Sequence, residues 1–192
     1  TERCRRWCDP QPRGEDRRIA LARSTVRGLL VAGIDGGYLI GFYWFATQVL
    51  GGWSPSSGPS TSAYATPLPF MGPLYGGLIP ATHEELLYRL VGVAALLLIV
   101  RRRWLALLIP GALWAFAHLG YVRDPIYFRG IELTIAAMFY GFIFLRYGLV
   151  TTIVAHFTFN ATLGALPLVR SDNPLFIVSG LIVFAAMVIP IV

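Results

Sequence analysis

The chain has 192 residues, of which 56% are hydrophobic and only 14% charged, and its mean hydropathy is +0.62. Soluble domains carry about 25% charged residues, so a water-facing globule is excluded, and two cysteines cannot staple a chain of this length. The net charge of +6 does not point to nucleic acid, because all sixteen basic residues are arginine and eight of them lie in the first 27 positions. The composition is that of an integral membrane protein with a basic tail.

Residues 1–27 read as a polar arm. The apolar run that follows, Gly28 to Leu50, is 23 residues long with one charge, Asp35. A secretory signal has a shorter apolar core of roughly 7–15 residues, whereas this run can cross a hydrocarbon core of about 30 Å, so it reads as a retained anchor. Residues 51–69 form a Gly/Ser/Pro loop. Residues 70–81 are apolar but interrupted by Pro73, Gly76, Gly77 and Pro80, which predicts a re-entrant or interfacial segment before the second span. Further spans are predicted at Thr82–Val100, Trp104–Val122 with a kink at Pro110-Gly111, Ile131–Leu145, Leu149–Val169 and Leu175–Val192.

The expected fold is therefore all-α, a polytopic transmembrane bundle of about six spans. Residues 1–27 are the arm and residues 28–192 the transmembrane domain. Six spans bring both termini to one side. Twelve arginines fall on that side, against Arg123, Arg129 and Arg170 on the other and Arg89 within a span. The bias predicts both termini in the cytoplasm, and a basic set made only of arginine suggests a bacterial source. Cys4 and Cys8, in the cytoplasmic arm, read as reduced, incidental thiols. The chain lacks an initiator methionine and stops inside an apolar run, so one or both natural ends are expected to lie beyond it.

A charge inside a span costs several kcal/mol and is a site hypothesis by default. Three clusters qualify: His83-Glu84-Glu85-Leu86-Leu87-Tyr88-Arg89, Trp114-Ala115-Phe116-Ala117-His118 and His156-Phe157-Thr158-Phe159-Asn160. Glu85 and Arg89 are four apart, on one helix face and within ion-pairing reach. Glu84 is rotated by about 100° and faces elsewhere. Trp114 with His118, and His156 with Asn160, repeat the spacing of four. Counted from the arginines that end their helices, Glu84, His118 and Asn160 all lie roughly 20–25 Å deep, and His156 about 15 Å. Such groups can serve merely as hydrogen-bonded glue between helices, but a Glu, two His and an Asn at matched depth favour a site. Asp35 and Glu132 have no matched partner and read as packing, snorkelling or helix N-terminal residues.

EELLYR (84–89), WAFAH (114–118) and HFTFN (156–160) resemble, in order and spacing, the EExxxR, FxxxH and HxxxN motifs of the CAAX-protease and bacteriocin-processing (CPBP, or Abi) family of glutamate-type intramembrane proteases. The resemblance covers about residues 65–170, and Trp114 stands where the family usually has Phe. It implies an endopeptidase in which Glu84 and His118 activate a water and His156 and Asn160 stabilise the oxyanion, while helix spacing itself makes Glu85 and Arg89 a structural ion pair. No cofactor is expected. The alternative with zinc would use Glu84, His118 and His156 as ligands. The implied partners are a peptide or membrane-protein substrate and the lipid bilayer, with no nucleic acid. The competing reading is a non-catalytic scaffold, immunity factor or subunit of a larger membrane complex.

Overall fold

A computed structural model describes residues 15–54, 64–120 and 123–189. The first 14 positions, with Cys4 and Cys8, and the last three lie outside the described residues, so the expectations for the thiols and the chain ends are untouched. The described residues form an all-helical bundle: α1 (Glu15–Gln48), α2 (Met71–Glu84), α3 (Ala94–Ile99), α4 (Arg103–Phe116), α5 (Tyr127–Tyr147), α6 (Leu149–Val169) and α7 (Pro174–Val188). A π-helical stretch, Glu85–Val93, joins α2 to α3, so these run as one rod and the bundle has six. Three helices, within Arg17–Gln48, Tyr127–Tyr147 and Leu149–Val169, are long and apolar enough to cross a membrane, while Arg103–Phe116 and Pro174–Val188 are shorter apolar helices. Large apolar side chains such as Leu30, Ile40, Leu98, Leu113 and Leu181 cover the outside, as a lipid-facing surface requires.

The boundaries differ most from the sequence reading in three places, each for a physical reason. α1 begins at Glu15 and runs through position 27 without a break, since Ala, Leu and Arg in this stretch are strong helix formers. The segment expected to be broken before the second span is helical from Met71 onward. Pro73 falls in the first turn, where its missing N–H is not needed. Gly77 is a close-packing residue, because a Cβ there would lie 3.0 Å from Ala161 Cβ and 3.1 Å from the Phe157 carbonyl oxygen of α6. Tertiary contact thus overrides the low propensity of the segment. Finally, α4 ends at Phe116 rather than near Val122, and its end tightens through His118 N–H to Ala115 O (3.0 Å) and Leu119 N–H to Phe116 O (3.4 Å).

α6 is the central helix, with Ala155, Ala161 and Ala165 fully buried and α1, α2, α5 and α7 packed around it. It follows α5 through Gly148 alone, whose φ of 87° is the left-handed conformation that glycine adopts without steric cost. α7 starts with Pro174 in its first turn and with Asn173 accepting from Leu175 N–H at 2.9 Å. Two loops are tied down near the bundle. Trp53 and Asp124 exchange backbone hydrogen bonds (2.6 and 3.0 Å), and the Tyr64 hydroxyl donates to Gly164 O at 2.9 Å. Burial pushes the Tyr64 phenol above its ordinary pKa.

Candidate active site

The π-helical stretch begins between the two glutamates. Glu85 is its first residue and Arg89 lies on the same face, with Arg89 Nε 3.3 Å from Glu85 Oε2. The second oxygen of Glu85 is 2.9 Å from His156 Nδ1. Both Glu85 and Arg89 are almost wholly buried. The Arg89 guanidinium carbon lies 4.8 Å from the Trp114 ring centre and 5.6 Å from that of Tyr140, so ring faces share in stabilising the cation. π-helical stretches are rare and recur at functional sites.

Glu84 turns the other way. Its Oε2 accepts from the Trp114 indole N–H at 2.5 Å and lies 3.8 Å from His156 Nε2. Its Oε1 lies 3.7 Å from His118 Nε2. The Glu84 and His118 side chains keep 18% and 23% of their surface exposed, so the space between them is open on one side. His118 Nδ1 lies 2.7 Å from the Trp114 carbonyl oxygen. A carbonyl only accepts, so Nδ1 carries a proton, and Nε2 is the nitrogen turned toward Glu84. In the same way His156 donates from Nδ1 to Glu85 and presents Nε2 to Glu84.

α2 and its π continuation, the end of α4, and α6 therefore bring Glu84, His118 and His156 together. His118 is in the turn that closes α4 rather than within the helix. Asn160, half-buried, is one turn along α6 from His156, and its side chain makes no hydrogen bond among the described residues. Trp114 is the residue whose role was missed. The reading from sequence notes only that it stands where the family usually has Phe, yet its N–H donates to Glu84, and its ring lies 5.0 Å from that of His118 and 6.0 Å from that of His156. The departure from Phe was the signal. Indole carries a donor that a phenyl ring lacks.

Asp35 and Glu132 are buried rather than snorkelling. Asp35 accepts from the Tyr140 hydroxyl at 3.2 Å. Glu132 pairs with Arg129 at 2.5 Å and is 3.5 Å from the Tyr43 hydroxyl. Among the described residues no group of three or more His, Cys, Asp or Glu is gathered in the geometry of a metal site.

Residues 66–162 match the family described as type II CAAX prenyl endopeptidase Rce1-like, over half of the chain. The chain belongs to the Rce1-like family. Every residue of the cluster around Glu84 lies inside the matched range, whereas Asp35 lies outside it. The sporulation-killing factor biosynthesis protein SkfC of Bacillus subtilis (strain 168) is similar, with 31% identity over 85 residues. That alignment covers 44% of this chain and 17% of the relative's length. No solved structure matches the chain. Rce1-like membership, consistent with the CPBP resemblance of the three motifs, and the apolar helices make this a multi-pass membrane protein of a protease family.

Proposed function

We propose that this Rce1-like protein is an intramembrane endopeptidase that hydrolyses a peptide bond in a peptide or membrane-protein substrate. The observation that carries the reading is the pair of imidazole Nε2 atoms facing the two oxygens of one partly open carboxylate, at 3.7 and 3.8 Å. Both gaps exceed a direct hydrogen bond and suit a bridging water. Glu84 Oε1 and His118 Nε2 take a proton from that water as its oxygen attacks the scissile carbonyl carbon. The tetrahedral oxyanion accepts hydrogen bonds from His156 and Asn160. The C–N bond then breaks, and the proton held by Glu84 and His118 passes to the leaving amine. To donate from Nε2 while Nδ1 donates to Glu85, His156 must be doubly protonated, and Glu84 and Glu85 supply the neighbouring negative charge. The open side of Glu84 favours this reading over a scaffold or subunit whose glutamate would be sealed in a contact.

The test is Glu84→Gln. Its membranes should accumulate peptides that wild type cleaves, and the purified variant should lose at least about 10²-fold in kcat with expression and melting little changed. Wild-type turnover in Glu84→Gln would sink the assignment. The same purified enzyme tests metal independence, since chelator should leave turnover unchanged. Zinc bound near one equivalent, with activity lost to chelator and restored by zinc, would make Glu84, His118 and His156 ligands.

The arginine bias supports both termini in the cytoplasm. Thiol labelling of Trp53→Cys and Arg102→Cys from opposite sides of the membrane checks it, and reactivity from the same side would overturn it.

A further inference from the structure

Asp35 takes no part in the chemistry above and stands on α1, outside the residues that match the family. α1 buries a stripe of mostly small residues, Thr25, Gly28, Val31, Ala32 and Asp35, at the spacing of one helix face. A Cβ on Gly28 would lie 2.6 Å from Val154 Cγ1 and 3.1 Å from Ala155 N, so α1 approaches α6 at backbone distance one residue from His156. Val31 packs with Tyr140, Ile143 and Ala155. The same face brings in the Asp35 carboxyl, 6% exposed, to accept from the Tyr140 hydroxyl at 3.2 Å. The Tyr140 ring then stands edge-on to His156, with centres 6.0 Å apart at 72°, and lies 5.6 Å from the Arg89 guanidinium carbon. Those two residues are the partners of Glu85. A tyrosine buried in an apolar layer needs an acceptor for its hydroxyl, and α1 supplies that acceptor at a point that also fixes the plane of the ring.

We propose that Asp35 is a positioning residue that acts through Tyr140 to hold the His156 ring in its orientation toward Glu84, so that the site is incomplete without α1. The proposal rests on the reading of His156 as part of the reaction centre, but its first readout needs no activity. The chain has three histidines, so histidine labelled with ¹³C and ¹⁵N in the full-length protein in micelles gives three sets of ring signals. The set lost in His156→Gln assigns that residue. Asp35→Ala and Tyr140→Phe should each shift or broaden the His156 signals and leave those of the exposed His83 in place, while Asp35→Asn, which keeps an acceptor oxygen, should restore the wild-type position. On a peptide cleaved in a Glu84-dependent way, Asp35→Ala should lower kcat about tenfold with KM unchanged, and Asp35→Asn should recover most of that loss. Unchanged His156 signals in Tyr140→Phe, which removes only a hydroxyl and is the variant to use if Asp35→Ala does not fold, would overturn the proposal. So would shifted signals with wild-type kcat in Asp35→Ala. If no cleavage depends on Glu84, the proposed function fails, and the spectra alone decide whether Asp35 orients His156.

Discussion

Glu84 and Glu85 are neighbours in sequence and opposites in surroundings. Glu85 has a side-chain exposure of 0%, with Arg89 Nε 3.3 Å from Oε2 and His156 Nδ1 2.9 Å from Oε1. Glu84 keeps 18% of its side chain exposed, with a hydrogen bond from Trp114 and two imidazoles just beyond hydrogen-bond reach among the described residues. Glu132, paired with Arg129 and reached by the Tyr43 hydroxyl, belongs with Glu85. A buried carboxylate paired with an arginine is fixed in place, while a partly exposed one can accept a proton from water. The rotation of about 100° between successive helical residues is enough to separate the two roles.

The largest test of this contrast is Arg89→Ala. It leaves Glu85 buried with only His156 as a partner and removes the cation from between Trp114 and Tyr140. Stranding one member of a buried pair costs about 3–5 kcal/mol, so the melting temperature in detergent should fall steeply, while that of Glu84→Gln should stay near wild type. Equal melting of the two variants would remove the distinction between a structural and a functional glutamate.

The next effect in size concerns Asn160. Asn160→Ala should lower kcat by roughly 10²–10³ with little change in KM, the pattern of a donor used mainly in the transition state. Asn160→Asp should be as damaging, because it sets a negative charge against a developing oxyanion. If Asn160→Asp turned over like wild type while Asn160→Ala did not, Asn160 would be holding a cation or a helix contact, and the oxyanion role would fall.

What could be read from sequence was local. The spacing of four pairs Glu85 with Arg89, and the structure has them 3.3 Å apart. Apolar run length located α6 at Leu149–Val169, since no proline or glycine inside it conflicts with helix until Gly164 and Pro167. Matched depth on separate helices singled out Glu84, His118 and Asn160, with His156 one turn away, and it is His156 rather than Asn160 that stands with His118 beside the Glu84 carboxylate. What could not be read was tertiary. The Trp114–Glu84 hydrogen bond joins residues 30 apart and the Tyr140–Asp35 bond joins residues 105 apart, and no periodicity encodes which helices will be neighbours. At Gly77, where a break was expected, α6 packs against the backbone, and the turn that carries His118 appears only when the end of α4 closes.

The smallest predicted effect is the most specific to this chain. Trp114→Phe installs the residue usual in the FxxxH motif, keeps an aromatic face for Arg89 and for the two histidines, and removes only the indole donor to Glu84. A hydrogen bond to a charged acceptor is worth about 1.5–3 kcal/mol, but Glu84 is partly open and water can replace the lost donor, so the lower end applies. The lost donor also frees Glu84 Oε2 to compete with Oε1 for the proton of the attacking water. A fall in kcat of about tenfold follows, with KM nearly unchanged because the indole N–H meets the base rather than the substrate. In the 15N–1H spectrum of the protein, which has five tryptophans, the indole signal lost in Trp114→Phe should be the one that moves in Glu84→Gln. If that signal stays in place in Glu84→Gln and Trp114→Phe keeps wild-type kcat, then Trp114 is packing alone and the orientation of Glu84 depends on the two histidines.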